Sequence, residues 1–283
     1  MASNRVGTIS DRGVQGMVYR NKRIKFESGS WLEPFGSIVM FEDFVADHIA
    51  EDSAVLIGQS GTALTAANIA VTAGPAPVGH GGWLQGKTDD VDGEIDEVAF
   101  PVPFLNASRA TNDPIVADFG FVIPTALTAR MYFAGFGDAS TGGADDDGMI
   151  SITTGTTLVS GATGDATGFV YSSLATDADG FYMGAVKSTG VGTAELSAAG
   201  SLDTVAVDNY LRLRVEADSD GDVYFYGAED LGTLNRNVRL EFIGSQAAAI
   251  TANVLYTPIF SAATTTTTGV EWELDYIFGA GPA

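Results

Sequence analysis

The chain has 283 residues and a formal net charge of −22, from 14 basic and 36 acidic side chains. It contains no cysteine, which excludes disulfide bonds, thiolate metal sites and a cysteine nucleophile. So acidic a chain repels DNA, RNA and anionic lipid over most of its surface, and we expect it to bind neither nucleic acid nor membrane. The first ten residues lack the apolar region of a secretory signal, and no segment reaches the roughly 18 apolar residues of a membrane span. These features predict a soluble protein that is not exported by the conventional route.

Residues 1–35 are predicted to form an extended N-terminal arm, because they combine basic charge and scattered glycines with little apolar periodicity. The first 30 positions hold six basic and two acidic residues, a charge of +4, which leaves 8 basic and 34 acidic residues, a charge of −26, in the rest. The six basic residues are Arg5, Arg12, Arg20, Lys22, Arg23 and Lys25. We predict that they bind an acidic partner or a neighbouring subunit; a terminus with no binding role is the alternative.

Residues 36–283 are predicted to form one all-β domain, an antiparallel β-sandwich. Short apolar runs alternate with turn residues, and the 35 glycines of the chain suit strands and turns better than helices. The predicted strands cover residues 37–45, 82–84, 94–104, 114–122, 127–136, 148–153, 168–172, 180–186, 193–196, 210–217, 222–227, 238–243, 252–260 and 270–278. Residues 63–73 and 245–252 fit either short helices or irregular coverings, and the threonine tract 264–268 is predicted to be a loop.

Residues 81–88 (GGWLQGKT) match the phosphate-binding pattern G-x4-G-K-T, but their surroundings disfavour a nucleotide site. Prolines and glycines precede the segment where a buried strand is required. Asp89, Asp90 and Asp92 follow it, where a helix N-terminus would receive the phosphate charge. We therefore do not predict a nucleotide-binding site here.

Glu94 and Asp96 lie at alternate positions of a predicted strand, and with Glu97 they resemble the E-x-D-x-E or E-x-D-x-x-E signature of sandwich-fold β-glucanases. Val98 and Ala99 stand where the signature requires its last glutamate. Without a proton donor on that face, the retaining mechanism cannot proceed. We therefore predict that the protein is not an enzyme.

Aspartates cluster in three predicted turns, at 145–148, 177–180 and 218–222, and their carboxylates have the chemistry of calcium ligands. Asp218, Asp220, Asp222 and Glu229 match positions 1, 3, 5 and 12 of a calcium-binding loop, although Val223 occupies the position that requires glycine. Aspartate and glycine are also selected by tight turns that bind no ion. The sequence predicts no cofactor, with a structural calcium ion in these turns as the alternative.

Residues 210–227 show the clearest hairpin pattern, two alternating runs on either side of the aspartate turn. In the first run Leu211, Leu213 and Val215 share one face, and charged residues share the other. The second run places Tyr224 and Tyr226 opposite the core face, so that both of its faces carry large side chains.

Taken in order, several of these segments resemble the concanavalin-A-like jelly rolls found in virion proteins of tailed bacteriophages. The matching segments are 41–44 (FEDF), 81–84 (GGWL) with the acidic turn after it, 127–138 (LTARMYFAGFGD), the hairpin at 210–227, and 272–278 (WELDYIF). The resemblance implies a concanavalin-A-like jelly roll and a non-enzymatic structural protein of the virion, of the capsid decoration or cement type.

The resemblance also implies a location and partners. The basic arm is expected to bind the major capsid protein, with the acidic body on the capsid surface after synthesis in the host cytoplasm. A homo-oligomer is expected, with a trimer as one form. The alternatives are a carbohydrate-binding, lectin-like module for attachment to a host surface, and a tail or fibre component.

Overall fold

A computed structural model of the chain describes part of it, in segments separated by short gaps. The described residues are 24–25, 31–32, 37–42, 56–59, 69–72, 83–88, 95–100, 104–110, 114–124, 127–138, 150–155, 157–160, 165–176, 179–187, 191–193, 195–196, 202, 204–230 and 239–282. Within these ranges no helix has the length and apolar character needed to cross a membrane.

The described elements are strands with one short 3-10 helix, Ala107–Arg109. In chain order the strands are β1 (Ile24–Lys25), β2 (Trp31–Leu32), β3 (Ser37–Glu42), β4 (Leu56–Gln59), β5 (Ile69–Thr72), β6 (Trp83–Lys87), β7 (Ile95–Ala99), β8 (Leu105–Asn106), β9 (Ile115–Val122), β10 (Arg130–Gly137), β11 (Ile150–Thr154), β12 (Thr157–Ser160), β13 (Ala166–Ser172), β14 (Tyr182–Val186), β15 (Val191–Thr193), β16 (Glu195–Leu196), β17 (Tyr210–Ala217), β18 (Val223–Asp230), β19 (Glu241–Gln246), β20 (Leu255–Thr264) and β21 (Glu271–Pro282).

Two large antiparallel sheets form a sandwich. Sheet I has the order β16-β14-β13-β10-β20-β7-β4, and β8 also pairs with β20. Sheet II has the order β19-β18-β17-β9-β21-β6-β5, and β3 also pairs with β21. Neighbours in these orders are often far apart in sequence, as β9 and β21 are, so long connections cross from sheet to sheet.

The main core lies between the sheets and follows from the alternation of each strand. Phe119 and Phe121 of β9 pack there with Leu211 and Leu213 of β17, and Phe260 of β20 contacts Phe121 from sheet I at a ring-centroid distance of 5.1 Å. All eight residues of β9 are buried, on both faces of the strand. The side chains on the outer face of sheet II are therefore also buried near the centre of the sheet.

A third layer lies on the outer face of sheet I. It is a small antiparallel sheet with the order β11-β12-β15. Its Ile152 and Leu158 pack in a second apolar cluster with Phe133, Val170 and Tyr182 of sheet I. This sheet buries apolar side chains that a two-layer sandwich would leave in water.

The predicted fold class, an all-β antiparallel β-sandwich, is confirmed by this architecture. The segments 63–73 and 245–252, which fit either helices or irregular coverings, are not helical where the structure describes them. Residues 69–72 form β5, and Ser245 and Gln246 end β19 before a turn. The threonine tract is a loop after Thr264, as predicted; the Thr264 hydroxyl donates to the carbonyls of Thr266 and Thr268. The division into an arm at 1–35 and a domain at 36–283 stays a prediction, because most of the arm lies outside the described residues.

Candidate functional site

Three aromatic side chains lie together on the outer face of sheet II, near its β19 edge. Phe242 is 56% exposed, and its ring meets that of Tyr226 at a centroid distance of 5.6 Å and an interplanar angle of 65°. Tyr224, two residues before Tyr226 on β18, is half-buried on the same face. We call these three residues the aromatic strip.

The strip follows from the strand alternation and from one β-bulge. Val223 and Phe225 of β18 point into the core, so Tyr224 and Tyr226 point outward. The register with β19 shifts between Phe225 and Tyr226, which places Phe242 opposite Tyr226. The bulge thus brings an aromatic ring from the edge strand onto the outer face.

A tight turn at residues 218–222, the acidic turn, adjoins the Tyr224 end of the strip. Asp218 Oδ1 accepts hydrogen bonds from the backbone N–H groups of Asp220 and Asp222, at 3.0 and 3.1 Å. Its Oδ2 accepts a hydrogen bond of 3.0 Å from the Tyr224 hydroxyl. Asp222 Oδ1 accepts a hydrogen bond of 2.7 Å from the N–H of Ala248, which ties the turn to the loop after β19.

The two tyrosine hydroxyls of the strip stay protonated at neutral pH. The hydrogen bond to Asp218 raises the pKa of Tyr224, and burial and the surrounding aspartates act in the same direction. Burial, assisted by the charge of Glu216, raises the pKa of Tyr226 to about 12. The Tyr224 hydroxyl donates its proton to Asp218 and keeps its oxygen as an acceptor, and the protonated Tyr226 phenol can donate and accept.

Beside the strip, five side chains form a charged cluster on the same face, in which Arg212 is half-buried and the others are buried: Asp118, Arg212, Arg214, Glu216 and Tyr276. Asp118 Oδ2 lies 2.5 Å from Arg214 Nη2 and 3.1 Å from Arg212 Nη2. The Tyr276 hydroxyl donates to Asp118 Oδ1 at 2.6 Å, and Arg214 Nη1 lies 3.8 Å from Glu216 Oε1.

Electrostatics within the charged cluster favour its ionised form. Burial raises the pKa of Asp118, but Arg214 and Arg212 outweigh that effect and hold the pKa below its ordinary value. Burial and the Asp118 charge raise the pKa of Tyr276 well above its ordinary value. Arg214 and Glu216 are the cross-strand partners of Tyr226 and Tyr224, so the cluster gives the strip a rigid base.

The face continues beyond the charged cluster as a buried aromatic region. Trp83 of β6 meets Tyr210 edge-on at 6.0 Å, and the Tyr210 hydroxyl donates to Asp275 Oδ2 at 2.8 Å. The rings of Tyr210 and Tyr276 lie over Gly120, and a Cβ at that position would collide with both. Because Trp83 is buried, this region supplies no exposed platform.

The arm residues predicted to bind a partner are not tested by these contacts. Arg5, Arg12, Arg20, Lys22 and Arg23 lie outside the described residues, and Lys25 belongs to β1, which pairs with β2. Their role stays a prediction.

The calcium candidates Asp218, Asp220 and Asp222 come together in the acidic turn, as the sequence indicates. Both Asp218 oxygens and one Asp222 oxygen accept hydrogen bonds from the protein itself. Glu229 lies at the far end of β18, where its Oε1 accepts from Ala206 N and Asn209 Nδ2, so it cannot complete a loop with them. In the described part of the chain, no three carboxylate or histidine side chains are close enough to hold a metal ion.

The glucanase-like segment has its aspartate on the core side of sheet I. Asp96 is buried and accepts a hydrogen bond of 2.7 Å from Trp272 Nε1, while its neighbour Val98 packs in the main core. A polysaccharide on the outer face cannot reach Asp96. Residues 83–87 of the phosphate-loop pattern form β6, an antiparallel strand paired with β5 and β21, which agrees with the rejection of a nucleotide site.

Sequence reasoning found Tyr224 and Tyr226 on the outer face but missed Phe242. The alternation predicts an ordinary strand at 238–243, in which Phe242 has no special place. The usable signal is the adjacent apolar pair Phe242 and Ile243, which is typical of a bulge because both side chains cannot face the core.

No known family model matches this sequence, and no curated protein is similar to it. Among solved structures, a protein of unknown function from Shewanella oneidensis MR-1 is similar, with a TM-score of 0.54, 12% identity and 87% of each chain covered. At this identity the likeness shows the fold alone.

Two further solved structures are similar at lower scores. The exoplasmic/lumenal domain of VIP36, with bound Ca²⁺ and Man3GlcNAc, has a TM-score of 0.47 and 8% identity, over 88% of each chain. Peanut lectin, with a bound nine-residue peptide, has a TM-score of 0.42 and 12% identity, over 87% of this chain and 98% of the lectin. These scores carry no argument about what the present chain binds.

Proposed function

We propose that this protein is a non-enzymatic carbohydrate-binding module, and that the aromatic strip is its binding surface. The observation that carries the proposal is the exposed ring of Phe242 in contact with Tyr226, on a sheet face held rigid by the charged cluster. The apolar C–H faces of a pyranose ring pack on aromatic faces, whose quadrupole attracts the partly positive hydrogens. A rigid strip gains such contacts with little loss of conformational entropy.

Polar groups around the strip suit sugar hydroxyls. Tyr224 presents a phenol, Ser245 is exposed opposite it on β19, and the acidic turn lies next to both. A few placed polar groups beside an aromatic surface are the usual composition of a small-ligand site.

A glycan array followed by calorimetry on the best ligand tests this proposal. We expect Phe242→Ala to weaken binding about two- to tenfold, the size of an aromatic contact. Leu255→Ala is the matched control, since Leu255 is 46% exposed on sheet I, away from the strip. A wild-type protein that binds no sugar, or a Phe242→Ala variant that binds as well as Leu255→Ala, would overturn the proposal.

A second role is favoured by the opposite charges of the two parts of the chain. The first 30 residues carry +4 and the rest −26, so a basic arm could hold an acidic body on a surface that would otherwise repel it. On this proposal the protein is a decoration or cement component of a virion, attached to the major capsid protein through Arg5, Arg12, Arg20, Lys22, Arg23 and Lys25. The two roles are compatible, because a tethered body leaves the strip free for a host glycan.

Occupancy of purified particles tests the second role. Deletion of residues 1–30 should release the protein, and replacing the six basic residues by glutamine in the full-length chain should do the same if charge is the cause. Full retention of both variants rules the anchor out. Mass spectrometry of the particles gives the stoichiometry, and light scattering of the free protein tests for the homo-oligomer, including a trimer.

A further inference from the structure

The charge around the aromatic strip is uneven. Asp218, Asp220 and Asp222 all lie near the Tyr224 hydroxyl, close enough for each to raise the pKa of that group. At the other end, Phe242 follows an exposed arginine, Arg239, and an exposed glutamate, Glu241, in the sequence, and their charges balance. The strip therefore has an acidic end and a neutral aromatic end.

The other charged groups of this face leave the imbalance in place. In the charged cluster, Arg212 and Arg214 balance Asp118 and Glu216. One cation, Lys187, reaches the loop beside the acidic turn: its Nζ lies 3.4 Å from the carbonyl oxygen of Ala248, whose N–H donates to Asp222. Among the residues that the structure describes, one lysine against three carboxylates leaves a net charge of −2 at the Tyr224 end.

We propose that the strip binds an amino sugar, with a pyranose ring stacked on Phe242 and Tyr226 and a protonated amine directed to the acidic turn. This inference rests on the proposed glycan binding and adds its charge selectivity. Asp220 contributes most to the attraction of the amine, because its side chain is exposed at the tip of the turn. Asp218, in contrast, already accepts hydrogen bonds from the turn and from Tyr224. Uronic acids and sulfated sugars are disfavoured by the same charges.

Three hexasaccharides of different charge test the inference by calorimetry: one of glucosamine, one of N-acetylglucosamine and one of galacturonic acid. We expect the glucosamine oligomer to bind about two- to fivefold more tightly than the acetylated one, the strength of one exposed ion pair, and the galacturonate oligomer to bind least. The preference should shrink as salt is raised, because exposed charges are screened.

Two charge variants locate the effect. Asp220→Asn should remove most of the glucosamine preference, so that the glucosamine and acetylated oligomers bind this variant with similar affinity. Asp208→Asn is the matched control, since Asp208 is exposed near the start of β17, at the other end of the hairpin, and asparagine tolerates its positive φ of 62°.

The outcomes separate the two proposals. If the wild type binds none of the oligomers or any other glycan, the proposed function fails. If it binds all three equally, prefers galacturonate, or loses as much preference with Asp208→Asn as with Asp220→Asn, the charge selectivity is overturned while the glycan-binding function stands.

Discussion

Arg214 and Asp118 form a buried ion pair between β17 and β9, with Nη2 and Oδ2 2.5 Å apart. Asp118→Ala removes the nearest anion from a guanidinium that stays buried. We predict a loss of about 3–5 kcal/mol in the free energy of unfolding, measured by urea denaturation. Asp220→Asn, an exposed change, should stay within about 0.5 kcal/mol of wild type. A loss below about 1 kcal/mol for Asp118→Ala would show that the pair contributes little.

Acid should destabilise the protein through the same aspartate. The arginines hold the folded-state pKa of Asp118 below its ordinary value despite burial, so this group stabilises the fold above its unfolded pKa of about 3.9. That stability is lost as the pH falls through the folded pKa. We predict that the free energy of unfolding drops more steeply below about pH 4 in wild type than in Asp118→Asn.

The comparison with Asp118→Asn is needed because other carboxyl groups act in the opposite direction. Burial raises the pKa values of Asp138 and Glu273, so these groups favour the folded state as the pH falls towards their unfolded values. Both are present in the two proteins, and their contributions cancel in the difference. Parallel curves for the two proteins below pH 4 would contradict the assignment to Asp118.

The strands of the sandwich could be predicted from sequence because each has one face in the core. The alternation of Leu211, Leu213 and Val215 sets both the strand and its buried face, and β17 extends over the predicted residues 210–217. The third layer could not be predicted, since β11 and β12 cover a face of sheet I that local alternation does not identify. Which of two apolar faces receives an additional sheet depends on contacts distant in sequence.

The site was less predictable than the fold for a related reason. Arg212, Arg214 and Glu216 read as a solvent-facing row, yet Arg214 and Glu216 are buried against Asp118 and Tyr276. Asp118 stands within an apolar strand of a different part of the chain, and only the antiparallel pairing of β9 with β17 brings it opposite Arg214. Charge pairing across strands carries no local sequence signal.

The third layer should be an integral part of the fold. Leu158 of β12 is fully buried against sheet I, and its side chain occupies the space that a Cβ at Gly184 would need. We predict that Leu158→Ala lowers the free energy of unfolding by about 2–5 kcal/mol, the usual result of a cavity in a core. Leu174→Ala, at a leucine that is 45% exposed, should change it by less than about 0.5 kcal/mol. Equal effects of the two changes would show that the small sheet is only loosely attached.

The acidic turn requires glycine at position 221, for two separate reasons. Gly221 has a φ of 81°, a left-handed conformation that L-residues adopt at an energetic cost, and a Cβ there would collide with the carbonyl oxygen of Ile250. Gly155 also has a positive φ, 63°, but the nearest atom to a Cβ at that position is Thr176 Oγ1 at 3.6 Å, an ordinary contact. We predict a loss of about 1–2 kcal/mol for Gly155→Ala, from conformation alone, and a larger loss for Gly221→Ala, both measured by urea denaturation. Equal losses of stability in the two variants would show that the loop yields to the added methyl group.

The contact with Ile250 joins the turn to the loop after β19. Gly221→Ala should therefore also weaken glycan binding, whereas Gly155→Ala should leave it unchanged.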